Sequence, residues 1–403
     1  MTAEKENEWE AAVVDLLDRV KMCQPDELTA EVNAAVRPLG LDLTVYLVDL
    51  EQDRLWAVPE AGRPTPPPIP VDGSLAGRTF SVVETGRARN DQGTFRIWVP
   101  MVDGSERLGV VDVVAARPPD DEAAFRRRCE MLVGLLGHLV TVKMPYGDAL
   151  RRARRTRPMA PSGELILAQL PPLTFSSRRM AVSAILEPCY DVGGDAFDYA
   201  LDGPVARLAV LDAMGRGLPA ALTSCAALAA IRAARRDGQD LGATARAADR
   251  AVDGQFPQLR FVTAVLAELN LQTGLLRYLN AGHPPPIVLR SGHAVRTLSG
   301  GRRLPLGLND TSVEVGEEML EPGDRLLLYT DGVTEAQDAA GERFGLRRLT
   351  DLAERCMSAG LPAPETLRRL SHEVRARQGG EPSDDATLLL LEWSAEAARR
   401  TQP

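Results

Sequence analysis

Four apolar runs in the C-terminal part of this chain each begin or end on aspartate. They are Val192-Gly193-Gly194-Asp195-Ala196-Phe197-Asp198, Leu211-Asp212-Ala213-Met214-Gly215-Arg216-Gly217, Tyr329-Thr330-Asp331-Gly332 and Ser383-Asp384-Asp385-Ala386-Thr387. Carboxylates at strand ends, far apart in sequence, require a fold that brings those ends together. Such a set suits hard divalent cations, because Mg²⁺ and Mn²⁺ take oxygen ligands in octahedral geometry and keep several waters. Two such ions close together can activate a water and steady a phosphoryl group, so the acids predict a metal-dependent phosphatase. Asp-Gly after a strand is, taken singly, an ordinary turn signal. The weight lies in finding four such acids in one domain.

The 403 residues are enough for two or three domains, and 44% hydrophobic with 26% charged residues is an ordinary globular mix. A formal net charge of −9 disfavours bulk attraction to nucleic acid or anionic lipid. The cysteines, Cys23, Cys129, Cys189, Cys225 and Cys356, are odd in number and show no CxxC spacing. They fit free thiols in a reducing cytosol, and none has an arginine six positions on, so the thiolate phosphatase loop is absent. The four histidines are too scattered for a zinc cluster. The acidic N-terminal residues lack the apolar core of a signal peptide, and no unbroken apolar run approaches 18 residues, so a cytoplasmic protein without a membrane span is expected.

Residues 1–142 have their own rhythm. Helices are predicted over Trp9–Val20 and Glu27–Val36, strands at Leu41–Val48, Leu55–Val58, Phe95–Met101 and Leu108–Ala115, a short helix in Ser74–Thr85 and a long one over Asp121–Val142. Helices flanking a small antiparallel sheet give an α+β, sensor-like domain. Residues 143–175 are expected to be a linker, punctuated by Pro158, Pro161, Pro171 and Pro172 and carrying the basic run Arg151-Arg152-Ala153-Arg154-Arg155-Thr156-Arg157, best explained as a solvated face. From 176 to 395, strands are predicted at Ala181–Leu186, Val205–Leu211, Phe261–Leu271, Leu275–Asn280, Pro286–Arg290, Arg325–Tyr329 and Ala386–Trp393. Helices are predicted from Gly217, with Leu218, Leu222, Cys225 and Ala229 on one face, and over 242–252, 346–356 and 364–377. Many strands with paired helices fit a layered α/β sandwich rather than a parallel βαβ series. At the acids, Asp212 could bridge two ions while the Ala213 carbonyl ligates one, and Asp198 could orient a metal water.

Two resemblances sharpen these expectations. Ser74-Leu75-Ala76-Gly77, Val99-Pro100-Met101 and Leu108-Gly109-Val110-Val111-Asp112-Val113 resemble a GAF domain, which implies a small-molecule ligand or a homodimerisation role for 1–142. More specifically, Gly193-Gly194-Asp195-Ala196-Phe197-Asp198, Asp212-Ala213-Met214-Gly215-Arg216-Gly217-Leu218-Pro219-Ala220-Ala221-Leu222, Ala281-Gly282-His283-Pro284-Pro285-Pro286, the run from Pro322 to Ala336 and Asp384-Asp385-Ala386-Thr387 resemble the PPM (PP2C-type) phosphatases of the SpoIIE/RsbU group. The resemblance implies an α-β-β-α sandwich and a protein serine/threonine phosphatase using two Mn²⁺ or Mg²⁺ ions. Asp195, Asp212, Asp331 and Asp384 would be the catalytic metal ligands, with the Ala213 carbonyl beside them. Water, rather than a protein nucleophile, would attack phosphorus.

The same resemblance implies a phosphoserine substrate on a STAS-domain anti-anti-sigma factor in bacterial partner switching. It also implies that the helices over 218–253 relay a sensor state to the metals. The alternative is a catalytically silent phosphatase-like scaffold, against which the full set of acids speaks. A metal-dependent nuclease is disfavoured by the acidic chain. Arg216 is a candidate helper or a solvated loop arginine, His283 an acid or a hydrogen-bonded turn residue, Asp198 could instead reach a second ion, and the roles of Asp198, Arg216, His283 and Asp385 stay open.

Overall fold

The computed structural model describes residues 3–88, 94–187, 190–191, 193–255, 260–312, 314–379 and 384–397. Val192 and Ser383, quoted with the motifs, and Cys189 lie outside the described residues. The chain forms two compact units, divided between Thr156 and Arg157.

The N-terminal unit runs α1 (Ala3–Val20), α2 (Leu28–Val36), β1 (Leu41–Val48), β2 (Arg54–Ala57), β3 (Ile69–Pro70), α3 (Leu75–Val82), β4 (Gly86–Ala88), β5 (Phe95–Asp103), β6 (Glu106–Ala115), α4 (Glu122–Lys143) and α5 (Ala149–Ala153). Its six strands form one antiparallel sheet in the order β3-β2-β1-β6-β5-β4. Period-two alternation in β1 sends Leu41, Leu43, Val45 and Leu47 into the core under α1, α2 and α4, and Tyr46 and Val48 into a second core with Phe80 of α3. Side-chain caps fix two helix starts: Ser74 Oγ accepts the Gly77 N–H at 2.9 Å and an Asp121 carboxylate oxygen accepts the Ala124 N–H at 3.0 Å.

The residues expected to form a linker are divided between the two units. Leu150 of α5 is fully buried in the N-terminal core. The basic run is stitched to the end of β1, where Arg154 Nε donates to the Val48 carbonyl at 3.0 Å and the Leu50 N–H donates to the Arg154 carbonyl at 3.2 Å. Further along, α6 (Pro161–Gln169) buries Ile166 in the C-terminal core, and β7 (Thr174–Ser177) is an edge strand of that unit.

The C-terminal unit continues with β8 (Met180–Glu187), β9 (Asp195–Asp202), β10 (Val205–Ala213), α7 (Gly217–Arg236), α8 (Leu241–Gln255), β11 (Val262–Asn270), β12 (Leu275–Ala281), β13 (Ile287–Arg290), β14 (His293–Thr297), β15 (Arg302–Arg303), β16 (Gly316–Met319), β17 (Arg325–Tyr329), α9 (Asp331–Glu335), α10 (Gly345–Ser358), α11 (Ala363–Arg377) and β18 (Ala386–Trp393). One six-stranded sheet has the order β15-β12-β11-β10-β9 with β16 also on β12, and the other the order β14-β13-β17-β18-β8-β7. Residues such as Phe197, Val210, Leu328 and Leu389 fill the space between the sheets. The outer face of the first sheet, with Ala196, Leu211 and Ala213, is covered by α7 and α8, and that of the second, with Tyr329 and Leu388, by α10 and α11. This is the α-β-β-α sandwich the motifs imply.

Two details depart from expectation. The face of α7 carrying Leu218, Leu222 and Ala229 is exposed, and the helix packs through Ala220, Ala221, Ala227, Leu228 and Ile231 instead. The small side chains let it lie close to the sheet. By composition, α7 is also long and apolar enough to cross a membrane, at a mean hydropathy of 1.4 over 18 residues. The unbroken-run criterion missed it because its alanines are interrupted by polar residues. Its buried face nonetheless belongs to the core of the sandwich.

Candidate metal centre

Strand alternation decides which acids meet. On β9, Asp195 shares the inter-sheet face with Phe197, while Ala196 and Asp198 face α7. On β10, Asp212 follows Val210 on the inter-sheet face, and register pairs it directly with Asp195. From the opposite sheet, β17 ends at Tyr329, Thr330 caps the next helix, and Asp331 opens α9. Asp384 and Asp385 immediately precede β18, which lies between β17 and β8. Two acids thus come from each sheet, with Asp385 as a fifth.

Hydrogen bonds tie the two sheets together at this end. Thr330 Oγ1 donates to Asp195 Oδ2 at 2.7 Å and accepts the Thr387 N–H at 2.8 Å. A single oxygen of Asp385, Oδ2, accepts three backbone N–H groups, from Gly193 and Gly194 at 2.6 Å each and from Asp195 at 3.3 Å. Asp385 therefore anchors the turn that presents Asp195. The Ser224 hydroxyl of α7 donates to the Gly194 carbonyl from the other side.

Two glycines allow the close approaches. A Cβ on Gly194 would stand 2.5 Å from the Ala213 carbonyl oxygen, and one on Gly332 would stand 1.8 Å from the Asp385 carbonyl oxygen. Any side chain at either place would separate elements that carry the acids.

The electrostatics distinguish the members of the set. Burial, then the charges of Asp212 and Asp385, holds the Asp195 carboxyl well above the usual carboxylate range. Burial and repulsion from Asp331, Asp384 and Asp385 lift Asp212 to about 7. Burial raises Asp331, with Asp384 adding to it, and burial raises Asp385. Among the described residues, no lysine or arginine forms an ion pair with any of these five acids.

Asp198 shows the contrast. It is as buried as Asp195, but Arg232 meets Oδ1 at 2.8 Å and Arg235 meets Oδ2 at 2.5 Å, both from α7. Its expected part in orienting a metal water is overturned, because three positions along a strand reverse the direction of the side chain.

The chemistry of the donor set fits a hard divalent cation. All the candidate side chains are oxygen donors, no protein cation among the described residues pairs with them, and the Ala213 carbonyl lies against Gly194 beside them. Among the described residues, no three acids, histidines or cysteines are drawn in on one point as a closed ligand cage. A cation such as Mg²⁺, which completes its shell with waters and takes only one or two carboxylates directly, suits that spacing. Arg216 caps the start of α7 in extended conformation and is exposed. Sequence reasoning missed Thr330, Ser224 and the anchoring role of Asp385, since each acts through a partner 30 or more positions away.

Comparison with known proteins adds an independent line. Residues 202–394 match the family described as Stage II sporulation protein E (SpoIIE). The chain is 26% identical over 213 residues to "Phosphoserine phosphatase RsbU" of Bacillus subtilis, covering 52% of this chain and 62% of that protein. It is also 26% identical over 240 residues to "Protein IcfG" of Synechocystis, covering 52% of this chain and 37% of that protein. The chain thus spans less than two thirds of the length of these relatives.

Among solved structures, the RsbU and RsbW domains of a Mycobacterium tuberculosis protein are similar at 26% identity and a TM-score of 0.46, over 54% of this chain and 62% of that one. The SiaA-PP2C domain of Pseudomonas aeruginosa is similar at 25% identity and a TM-score of 0.47, over 64% of this chain and 99% of that one. Within the C-terminal unit, residues 202–394 are thus similar in sequence to the SpoIIE family and to its RsbU relative.

Proposed function

We propose that this SpoIIE-type domain is the catalytic unit of a metal-dependent protein serine/threonine phosphatase. The observation that carries the reading is the set of acids brought to one end of the sandwich, with Asp195 buried among them and, among the described residues, no lysine or arginine paired with any. Asp195, Asp212, Asp331 and Asp384, with the Ala213 carbonyl, would hold two Mn²⁺ or Mg²⁺ ions. Bound there, the ions supply Lewis acidity toward water and positive charge to offset the phosphoryl oxygens. The protein's own part is positioning. Asp385 holds the Gly193–Gly194 turn, Thr330 orients Asp195, and Gly332 lets the start of α9 reach the Asp384–Asp385 segment.

The substrate we infer is a phosphoserine protein, a STAS-domain anti-anti-sigma factor in a partner-switching pathway of the cytoplasm. The relative described as a phosphoserine phosphatase supports that class. The N-terminal α+β unit is assigned a GAF-like sensing or homodimerising role, with residues 1–142 as its body, 143–175 as the junction and 176–395 as the catalytic domain. The exposed Leu218 and Leu222 on α7 would receive the sensor's signal, and Ser224 of the same helix grips the Gly194 carbonyl. A Leu222→Asp variant that keeps both activity and its regulation would remove that relay.

The activity itself is tested by hydrolysis of p-nitrophenyl phosphate and a phosphoserine peptide, with and without Mn²⁺, beside an Asp212→Asn, Asp331→Asn double variant. Manganese-dependent turnover that disappears in the double variant is expected. A folded wild-type chain that binds metal but turns over neither substrate would replace the enzyme with a silent scaffold.

A further inference from the structure

Asp249 sits on α8, is only 3% exposed and turns its whole carboxylate to one loop. Oδ1 accepts the Gly307 N–H at 2.5 Å and the Asn309 N–H at 3.1 Å, and Oδ2 pairs with Arg303 Nη2 at 2.6 Å. The same guanidinium group donates to the Leu304 and Asp310 carbonyls, so both ends of the segment 304–310 are tied. Gly307 at φ +97° and Asn309 at φ +55° hold left-handed backbone, a path few residues take unaided. A Cβ on Gly307 would stand 2.5 Å from the Arg260 carbonyl oxygen and 2.6 Å from Val252 of α8. The loop is thus wedged between that helix and the approach to β11.

This loop completes a row of backbone that crosses the sheet and ends at the metal centre. Strand β12 pairs with β11 in register from Leu269 to Val265, and a bridge from Ala264 to Gly282 follows. At Val262 the neighbour is Leu306, which exchanges both backbone hydrogen bonds with it at 2.9 Å each. Val262 stands opposite Ala213 on β10, and the Ala213 N–H donates to the Gly194 carbonyl at 3.2 Å. Leu306, Val262 and Ala213 are all buried in the core under α7 and α8. A carboxylate ligand can turn about its own side-chain bonds to meet a cation. A carbonyl ligand cannot, because the peptide plane fixes its direction and the flanking strands fix the plane. A buried ion pair gains little net stability, since desolvation offsets the attraction, so what distinguishes the Asp249–Arg303 pair is the geometry it imposes.

We propose that Asp249 is a positioning residue for the Ala213 carbonyl. By fixing Gly307 and Asn309 it keeps Leu306 on Val262, and through that row it sets the aim of the carbonyl from α8. The inference rests on the reading of the Ala213 carbonyl as a metal ligand. Outer groups that orient a ligand cost roughly 10- to 100-fold in metal affinity when lost, and an effect passed along a row of backbone belongs at the lower end.

The test compares two double variants of the full chain by Mn²⁺ titration calorimetry. In Asp249→Asn, Arg303→Gln, a neutral amide pair replaces the ions and the asparagine Oδ1 still accepts the loop N–H groups. In Asp249→Ala, Arg303→Gln, that acceptor is gone. The alanine variant should bind Mn²⁺ about 10-fold more weakly than wild type, and the asparagine variant should stay within about threefold. Equal affinities in the two variants overturn the positioning role, whatever happens to their stability. Native-state hydrogen exchange on wild type gives a second reading, because coupling between sites is reciprocal. Mn²⁺ should slow exchange of the Val262 and Leu306 amides by a larger factor than that of Leu269 at the far end of β11. If the alanine variant fails to fold, the exchange result decides, and equal slowing at all three amides overturns the proposal. Wild-type protein that binds no Mn²⁺ overturns the reading of Ala213 as a ligand and this role with it.

Discussion

Replacing Asp212 by asparagine should stabilise the metal-free C-terminal unit, although it removes a residue the function needs. In the folded chain, burial and the charges of Asp331, Asp384 and Asp385 lift the Asp212 carboxyl from 3.8 to about 7. The folded state thus holds the proton more tightly than the unfolded one. Stability is therefore lost as pH rises from the unfolded value, near 4, through the folded value, near 7, and stays lost above it. At about 1.4 kcal/mol per tenfold change in proton affinity, the loss is at most about 4 kcal/mol, and relaxation around a half-buried group reduces it to roughly 2–4 kcal/mol.

Asparagine keeps the shape and cannot ionise. For a domain of this size, about 2–4 °C per kcal/mol places the gain at roughly 5–10 °C. Differential scanning calorimetry in chelator at pH 8 and pH 5 reads it, with the C-terminal transition identified as the one that Mn²⁺ moves. The variant should melt higher at pH 8, and the difference should shrink to less than half at pH 5, since the unfolded carboxyl still ionises there while the folded one does not. With Mn²⁺ at about 100 times its Kd, wild type should gain about 2.7 kcal/mol and the variant little, which narrows or reverses the order. A variant that melts lower than wild type at pH 8 without metal would refute the repulsion argument.

Two other substitutions separate roles within the same few residues. Gly332→Ala places a Cβ 1.8 Å from the Asp385 carbonyl oxygen, so α9 must retreat from the start of β18. It should cost about 1–3 kcal/mol by denaturant unfolding and abolish manganese-dependent turnover. Asp198→Ala strips two arginines of α7 of their partner and should cost about 3 kcal/mol of stability. Its Mn²⁺ affinity by calorimetry should stay within about threefold of wild type, and a larger fall would return Asp198 to the site.

The acids were legible because they sit where apolar strands stop, and that pattern survives in one dimension. Strand β9 was not predicted, since Asp195, Asp198 and Asp202 dilute its apolar signal below what a half-buried strand shows. Missing it hid the fact that Asp195 and Asp198 face opposite ways. Likewise, Asp331-Gly332 looked like a turn, whereas it opens the short helix α9. The hydroxyl of Thr330 could not be found from spacing, because its partners are set by how strands pair and by how one sheet lies on the other. The division near 156 was masked by prolines and arginines that look like linker, while Leu150 and Ile166 were already committed to separate cores.

The even split of acids between the two sheets has a mechanical side. Without cations, like charges face one another across the seam and push the layers apart at one end, against the apolar contacts of Phe197, Leu328 and Leu389. A cation seated there would turn that spring into a clasp, adding to the Thr330–Asp195 hydrogen bond that already joins the sheets at this end. Damage to the apolar filling should therefore reach the site as poorer metal retention before the fold itself gives way.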